Sequence, residues 1–157
     1  MKRYQVRLFA VALVAALGLV AAGIAGASAS RTAGSQTVKT RNVKGLGVVL
    51  VNSKGRTLYA FMPDKQRHVT CTGSCAHYWP PLKWKGSGKP TAGGSAKSKF
   101  LGSDKDLAGG KVVTYNKWPL YTYIGDTAAG QATGQGLDAS GGKWYVISPS
   151  GKLVKHM

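Results

Sequence analysis

The sequence predicts an all-β fold, two antiparallel β-hairpin repeats packed with pseudo-twofold symmetry and little helix. Three observations carry this. Leu58, Tyr59, Phe61 and Asp64 recur as Leu120, Tyr121, Tyr123 and Asp126, at a constant offset of 62 residues. Each copy follows a β-branched run and a turn cluster. No long stretch has the 3.6-residue apolar spacing of an amphipathic helix. Repetition of this kind implies two copies of one supersecondary unit, each burying the other's apolar face.

The elements follow in order. Val48–Val51 is an apolar β-branched strand, Asn52-Ser53-Lys54-Gly55 is a turn cluster, and Thr57–Met62 returns as the second strand. In the second copy Val112–Tyr115 is the first strand, Asn116-Lys117-Trp118-Pro119 turns, and Leu120–Ile124 returns. Side chains alternate across a strand, so Tyr59 and Phe61 share one face, as do Tyr121 and Tyr123. Leu58, Ala60 and Met62 take the opposite one. Lys143–Ser148 is expected as a further strand, and Ser150-Gly151-Lys152 turns into a short terminal one. Residues 83–110 are rich in Gly, Lys and Ser and read as linker, with one short strand around Phe100-Leu101.

The chain begins with a basic stretch (Lys2, Arg3, Arg7), an apolar run from Leu8 to Val20, and a small-residue segment ending Ala27-Ser28-Ala29. This is the layout of a secretory signal peptide cleaved after Ala29; a retained anchor is the alternative. The division expected is therefore signal peptide 1–29, flexible basic leader 30–45, and one β domain 46–157 with repeats at about 46–82 and 109–148. No cysteine lies near the cleavage point, so lipid anchoring is not expected. The mature protein is expected to be secreted or associated with the envelope, with no membrane-spanning segment.

Twenty-two Lys and Arg stand against five acids, all of them aspartates, for a net charge of +17. Cleavage at Ala29 removes three basic residues and no acid, leaving 19 against five, or +14. Such a surplus sets up a positive field over the surface. Outside a cell, the polyanions on offer as partners are an anionic envelope polymer such as a cell-wall phosphate polymer, lipid headgroups and free nucleic acid. The plainer alternative is that scattered lysines only keep the chain soluble. Nothing marks a specific nucleic-acid site. Five aspartates are thin material for a paired-carboxylate hydrolase or an acidic metal cage. No nucleophile elbow, phosphate loop or dinucleotide fingerprint is present. No catalytic residue and no required cofactor are therefore expected.

Cys71 and Cys75 admit three readings. In an oxidising compartment they form a disulfide. Alternatively His68, Cys71, Cys75 and His77, four soft or borderline ligands within ten residues, hold copper or zinc. The third reading is a redox-active dithiol serving a redox partner protein. Asp64 and Asp126 each follow a strand by two residues, where a carboxylate can close an Asx-turn on nearby backbone N–H groups. Tyr59, Phe61, Tyr121 and Tyr123 are expected as packing residues. A paired aromatic platform with Trp79, Trp84, Trp118 and Trp144 for a flat ligand is the alternative.

Cys71-Thr-Gly-Ser-Cys75-Ala-His77-Tyr-Trp79-Pro80-Pro81-Leu82, joined to two Tyr-x-aromatic-x-x-Asp elements, resembles the bacterial family of secreted repeats of unknown function. These are described as predicted lipoproteins with a Tyr-x-(Phe/Trp/Tyr)-x-x-Asp motif. The resemblance covers roughly residues 46–148 and implies an exported, envelope-associated protein with a repeated β unit. It implies no established activity. Unlike many members, this chain lacks a lipoprotein-type cysteine. The expected function is thus non-enzymatic envelope binding through a basic surface, with extracytoplasmic redox or metal handling as the alternative.

Overall fold

A computed structural model describes residues 37–64 and 68–156. The expected signal peptide lies outside the described residues. Among the described residues, no helix is long and apolar enough to cross a membrane.

Among the described residues the regular structure is mostly β-strand, with almost no helix. Strand β1 (Val38–Val43) pairs antiparallel with β2 (Gly47–Asn52). Asn52 shapes the next turn, its side-chain oxygen accepting from Lys54 N at 2.9 Å and Arg56 N at 3.0 Å. The chain then returns along β2, with Leu58 N donating to Leu50 O at 2.9 Å, and enters β3 (Tyr59–Phe61). A short helix, α1 (Ser74–Tyr78), leads towards β4 (Lys83–Trp84). A 3-10 turn (Ser98–Phe100) opens β5 (Leu101–Lys105), which precedes β6 (Lys111–Tyr115) and β7 (Trp118–Pro119). Last come β8 (Asp138–Ala139) and β9 (Gly142–Val146). Besides the β1–β2 pair, one sheet has the order β3-β9-β8 and the other β4-β6-β5, with β7 also paired to β6.

The two repeats meet at their tyrosines. Tyr59 N donates to Tyr121 O at 2.9 Å and Tyr121 N donates back to Tyr59 O at 3.0 Å. This reciprocal pair lies where the pseudo-twofold axis must pass. Around it the same bonds recur: Leu58 N to Leu50 O in one half, Leu120 N to Val113 O in the other.

Alternation along the strands divides the core in two. Tyr59, Phe61 and Tyr121 join Val49, Val112 and Val146 in one buried cluster, while Leu58, Ala60 and Leu120 join Leu50, Val113 and Ile147 in a second. The period of two predicted this separation for β3, which is buried on both faces.

Three expectations need correction. Part of the leader placed at 30–45 is strand β1, whose Val38 is fully buried and bonded to the Thr91–Gly93 segment. Its four middle residues are polar and half-buried or exposed, with no alternation in the sequence to mark a strand. The second turn is tighter than Asn116–Pro119: Asn116 and Lys117 alone reverse the chain, with φ of 46° and 70°. Two consecutive positive φ values suit a two-residue hairpin loop, and asparagine tolerates them well. Nor does Leu120–Ile124 form one continuous return strand. After Leu120 it leaves β6, with Thr122 N bonding Pro80 O at 2.9 Å and Ile124 N bonding Tyr78 O at 3.0 Å. The strand expected near Phe100-Leu101 is present as β5, and the terminal turn forms with Ile147 bridged to Leu153.

Candidate functional site

Each motif aspartate is spent across the repeat boundary. The Tyr59 hydroxyl donates to Asp126 Oδ2 at 2.6 Å, and the Tyr121 hydroxyl donates to Asp64 Oδ2. The other oxygen of each aspartate holds a downstream loop. Asp64 Oδ1 accepts from Thr70 N at 2.7 Å and from its hydroxyl at 2.6 Å. Asp126 Oδ1 accepts from Thr133 N at 2.8 Å and from its hydroxyl at 2.7 Å. The local Asx-turn expected from sequence is thus replaced by a longer clamp, six or seven residues downstream.

Both aspartates are almost fully buried. Burying a carboxylate is costly unless hydrogen bonds replace its water, and here each oxygen has donors. Burial pushes the Asp64 carboxyl above its usual range, against the bonds from Thr70 and Tyr121. It also pushes the Tyr59 and Tyr121 hydroxyls far above the usual phenol range, and the adjacent carboxylates add to the effect. The phenols therefore act as donors. The arrangement is a pair of reciprocal locks facing the interior.

Against the locks lies a stack of four rings. Phe61 stacks on Trp144 at 4.2 Å, Trp144 on Trp79 at 3.9 Å with planes 2° apart, and Trp79 on Tyr123 at 4.2 Å. Tyr59 meets Trp79 edge-on at 5.4 Å and Tyr121 meets Trp144 edge-on at 5.3 Å. The stack thus repeats the twofold: Phe61 and Tyr123 at its ends, the tryptophans at its centre. Trp79 and Trp144 are sealed from solvent, while Trp84 and Trp118 are half-buried beside the second cluster. Tyr59, Phe61, Tyr121, Trp79 and Trp144 are buried core and Tyr123 is half-buried, so the first two tryptophans offer no open platform.

The family described as a secreted repeat of unknown function matches residues 40–83 and 102–148, more than half of the chain. The chain belongs to this family. Its description as secreted supports an extracellular location. No curated protein and no solved structure matches the chain.

The two matched segments of this secreted repeat protein differ most beside the first lock. Cys71 and Cys75 form a disulfide with Cα atoms 5.2 Å apart, spanning the entry to α1. Trp79 N closes that helix on Cys75 O at 2.8 Å, and this delivers the Trp79 ring into the stack. Pro80 and Pro81 follow as extended chain, Pro81 bridged to Tyr121. In the second repeat Gly134 follows Thr133 as Cys71 follows Thr70, so the second clamp has no disulfide. With the sulfurs bonded to each other, the proposed His68, Cys71, Cys75, His77 set has no thiolate to offer a metal. Both histidines are exposed, His77 lying edge-on to Tyr78 at 5.2 Å.

The remaining charge is distributed very unevenly. Asp64, Asp106 and Asp126 are buried, and Lys83 forms an ion pair with Asp106. That leaves Asp104, half-buried, and Asp138, exposed, as the acids that face water. Most lysines of the described residues are exposed, on every part of the fold.

Sequence reasoning missed the cross-repeat partners of the tyrosines and the role of Thr70 and Thr133. It also missed that Trp144 is the counterpart of Trp79. A signal for each was present. Trp79 precedes Leu82 as Trp144 precedes Ile147, and Thr70 lies 63 residues before Thr133. These offsets differ from 62, so a fixed-offset comparison passes over them.

Proposed function

We propose that this protein is an exported, non-enzymatic envelope protein that binds an anionic polymer or lipid headgroup through its basic surface. The observation that carries this reading is the burial of Asp64, Asp106 and Asp126. The few acids are consumed inside the fold, and the lysines facing solvent are left nearly unopposed. The motif residues supply architecture, and the surface supplies recognition.

The test is co-sedimentation of the purified protein with envelope preparations over a range of ionic strength. Binding at low salt that weakens as salt screens the surface supports the proposal, and Cys71→Ser should leave it unchanged. Absence of binding at low salt overturns it. Loss of function on Cys71→Ser alone would favour redox or metal handling.

A further inference from the structure

Gly102 stands second in β5, and glycine within a strand weakens it and marks places of close approach. Its Cα partner across the ladder is Thr114 of β6. A Cβ at position 102 would come 3.0 Å from the Thr114 hydroxyl oxygen. The missing side chain therefore leaves a notch with that hydroxyl at its base.

Thr114 is only 4% exposed, and it lines a cavity beside Gly102. The cavity it lines is also bounded by Lys99, Phe100, Gly102, Asn116 and Lys117. Lys99 and Lys117 are exposed at the rim. The Lys99 ammonium rests 5.3 Å from the Phe100 ring centroid, and Lys97 adds a second cation at 5.9 Å. Asn116 is committed elsewhere, its amide donating to Gly151 O at 3.0 Å. The neighbouring acid, Asp104, accepts the Lys105 N–H at 2.8 Å.

We infer that the Gly102–Thr114 notch, rimmed by Lys99 and Lys117, binds the phosphate group of a phosphodiester. A hydroxyl donor at the base and ammonium groups at the mouth match a singly charged tetrahedral oxyanion. The inference rests on the anionic-ligand reading above and narrows it to one place and one chemistry. The phosphodiester of a wall polymer and that of a lipid headgroup share this chemistry.

The experiment follows backbone amide shifts of the purified secreted protein at low ionic strength. It titrates in turn inorganic phosphate, a poly(glycerol phosphate) and vesicles of phosphatidylglycerol in phosphatidylcholine. Gly102→Ala fills the notch, Thr114→Val removes the hydroxyl, and Thr114→Ser restores it; thermal melts confirm that each folds. The expected result is shifts centred on Gly102, Thr114 and Lys117. Affinity should fall about tenfold in the Ala and Val variants, as for a lost hydrogen bond to a charged group, and recover in Thr114→Ser. The polymer and vesicle arms then tell the two sources apart. If polyanions bind but both variants match the unaltered protein, with shifts scattered over many lysines, the notch is overturned and the broader proposal stands. If inorganic phosphate shifts the notch but neither polyanion binds, the notch holds free phosphate and no phosphodiester, and both proposals fail. No response to any of the three overturns both.

Discussion

The Tyr59 hydroxyl and the Asp126 carboxylate, 67 residues apart, lie 2.6 Å from each other inside the fold, with Tyr121 and Asp64 as their mirror pair. A motif that looks like one local unit, tyrosine and aspartate five residues apart, works only between units. Each repeat supplies the donor for the other's acid. Neither copy alone can satisfy its buried carboxylate, which ties the two halves together through polar bonds as well as apolar packing.

The tyrosines make a prediction for alkaline pH. Their folded pKa values are raised by burial, so the folded state holds these protons more tightly than the unfolded chain. The corresponding stability is fully present below the unfolded value of about 10 and is lost as pH rises beyond it. Absorbance titration should show Tyr59 and Tyr121 ionising only as the protein unfolds. Asp64, also raised, has the same sign at lower pH. Its contribution is present below about pH 4 and declines as pH climbs through its folded value.

Gly134 is predicted to be irreplaceable where other glycines are not. A Cβ there would lie 2.6 Å from the Trp79 ring and 3.1 Å from Tyr59. Gly134→Ala should cost about 1–3 kcal/mol, the usual range for overpacking. Gly88→Ala meets nothing within 4 Å and should be close to neutral. Urea denaturation of the two variants separates these outcomes.

The disulfide is predicted to stabilise without being essential. Its loop is small, and chain entropy alone gives roughly 2 kcal/mol. The second clamp, at Thr133-Gly134, forms without such a bond. Cys71→Ser with Cys75→Ser should therefore fold, with a lowered denaturation midpoint and the tryptophan emission of a buried stack. Emission shifted to that of exposed indole would show that the bridge holds Trp79 in place.

The tryptophan pair carries a fourth prediction. Buried aromatic side chains remove about 150–250 Å² each, at about 25 cal/mol/Å². Trp79→Ala and Trp144→Ala should each cost about 3–5 kcal/mol and, being in contact, should not add. Denaturation of the single and double variants tests this.

How far these features could be read from sequence varied with how local their causes are. The offset of Tyr59 and Phe61 from Tyr121 and Tyr123 carried the repeat, the strand faces and the aromatic core, because alternation is a property of neighbouring residues. Strand β1 was hidden because Arg41 and Asn42 are exposed and its two buried residues, Val38 and Val43, stand five apart on opposite faces, each in a different core cluster. The partner of Asp64 could not be read at all. Its acceptor role follows from burial, but the donor, Tyr121, is set by how the halves close. Likewise the notch at Gly102 depends on the register that places Thr114 opposite.

The central claim is that the motif is a lock between repeats, and a double-mutant cycle on Tyr59→Phe and Asp126→Asn tests it most directly. Stabilities of the four proteins from urea denaturation should give a coupling of about 0.5–3 kcal/mol, as for residues in one buried network. The single variants should each lose about 1–3 kcal/mol. Additive losses, with no coupling, would contradict the account and leave the two residues as independent core positions.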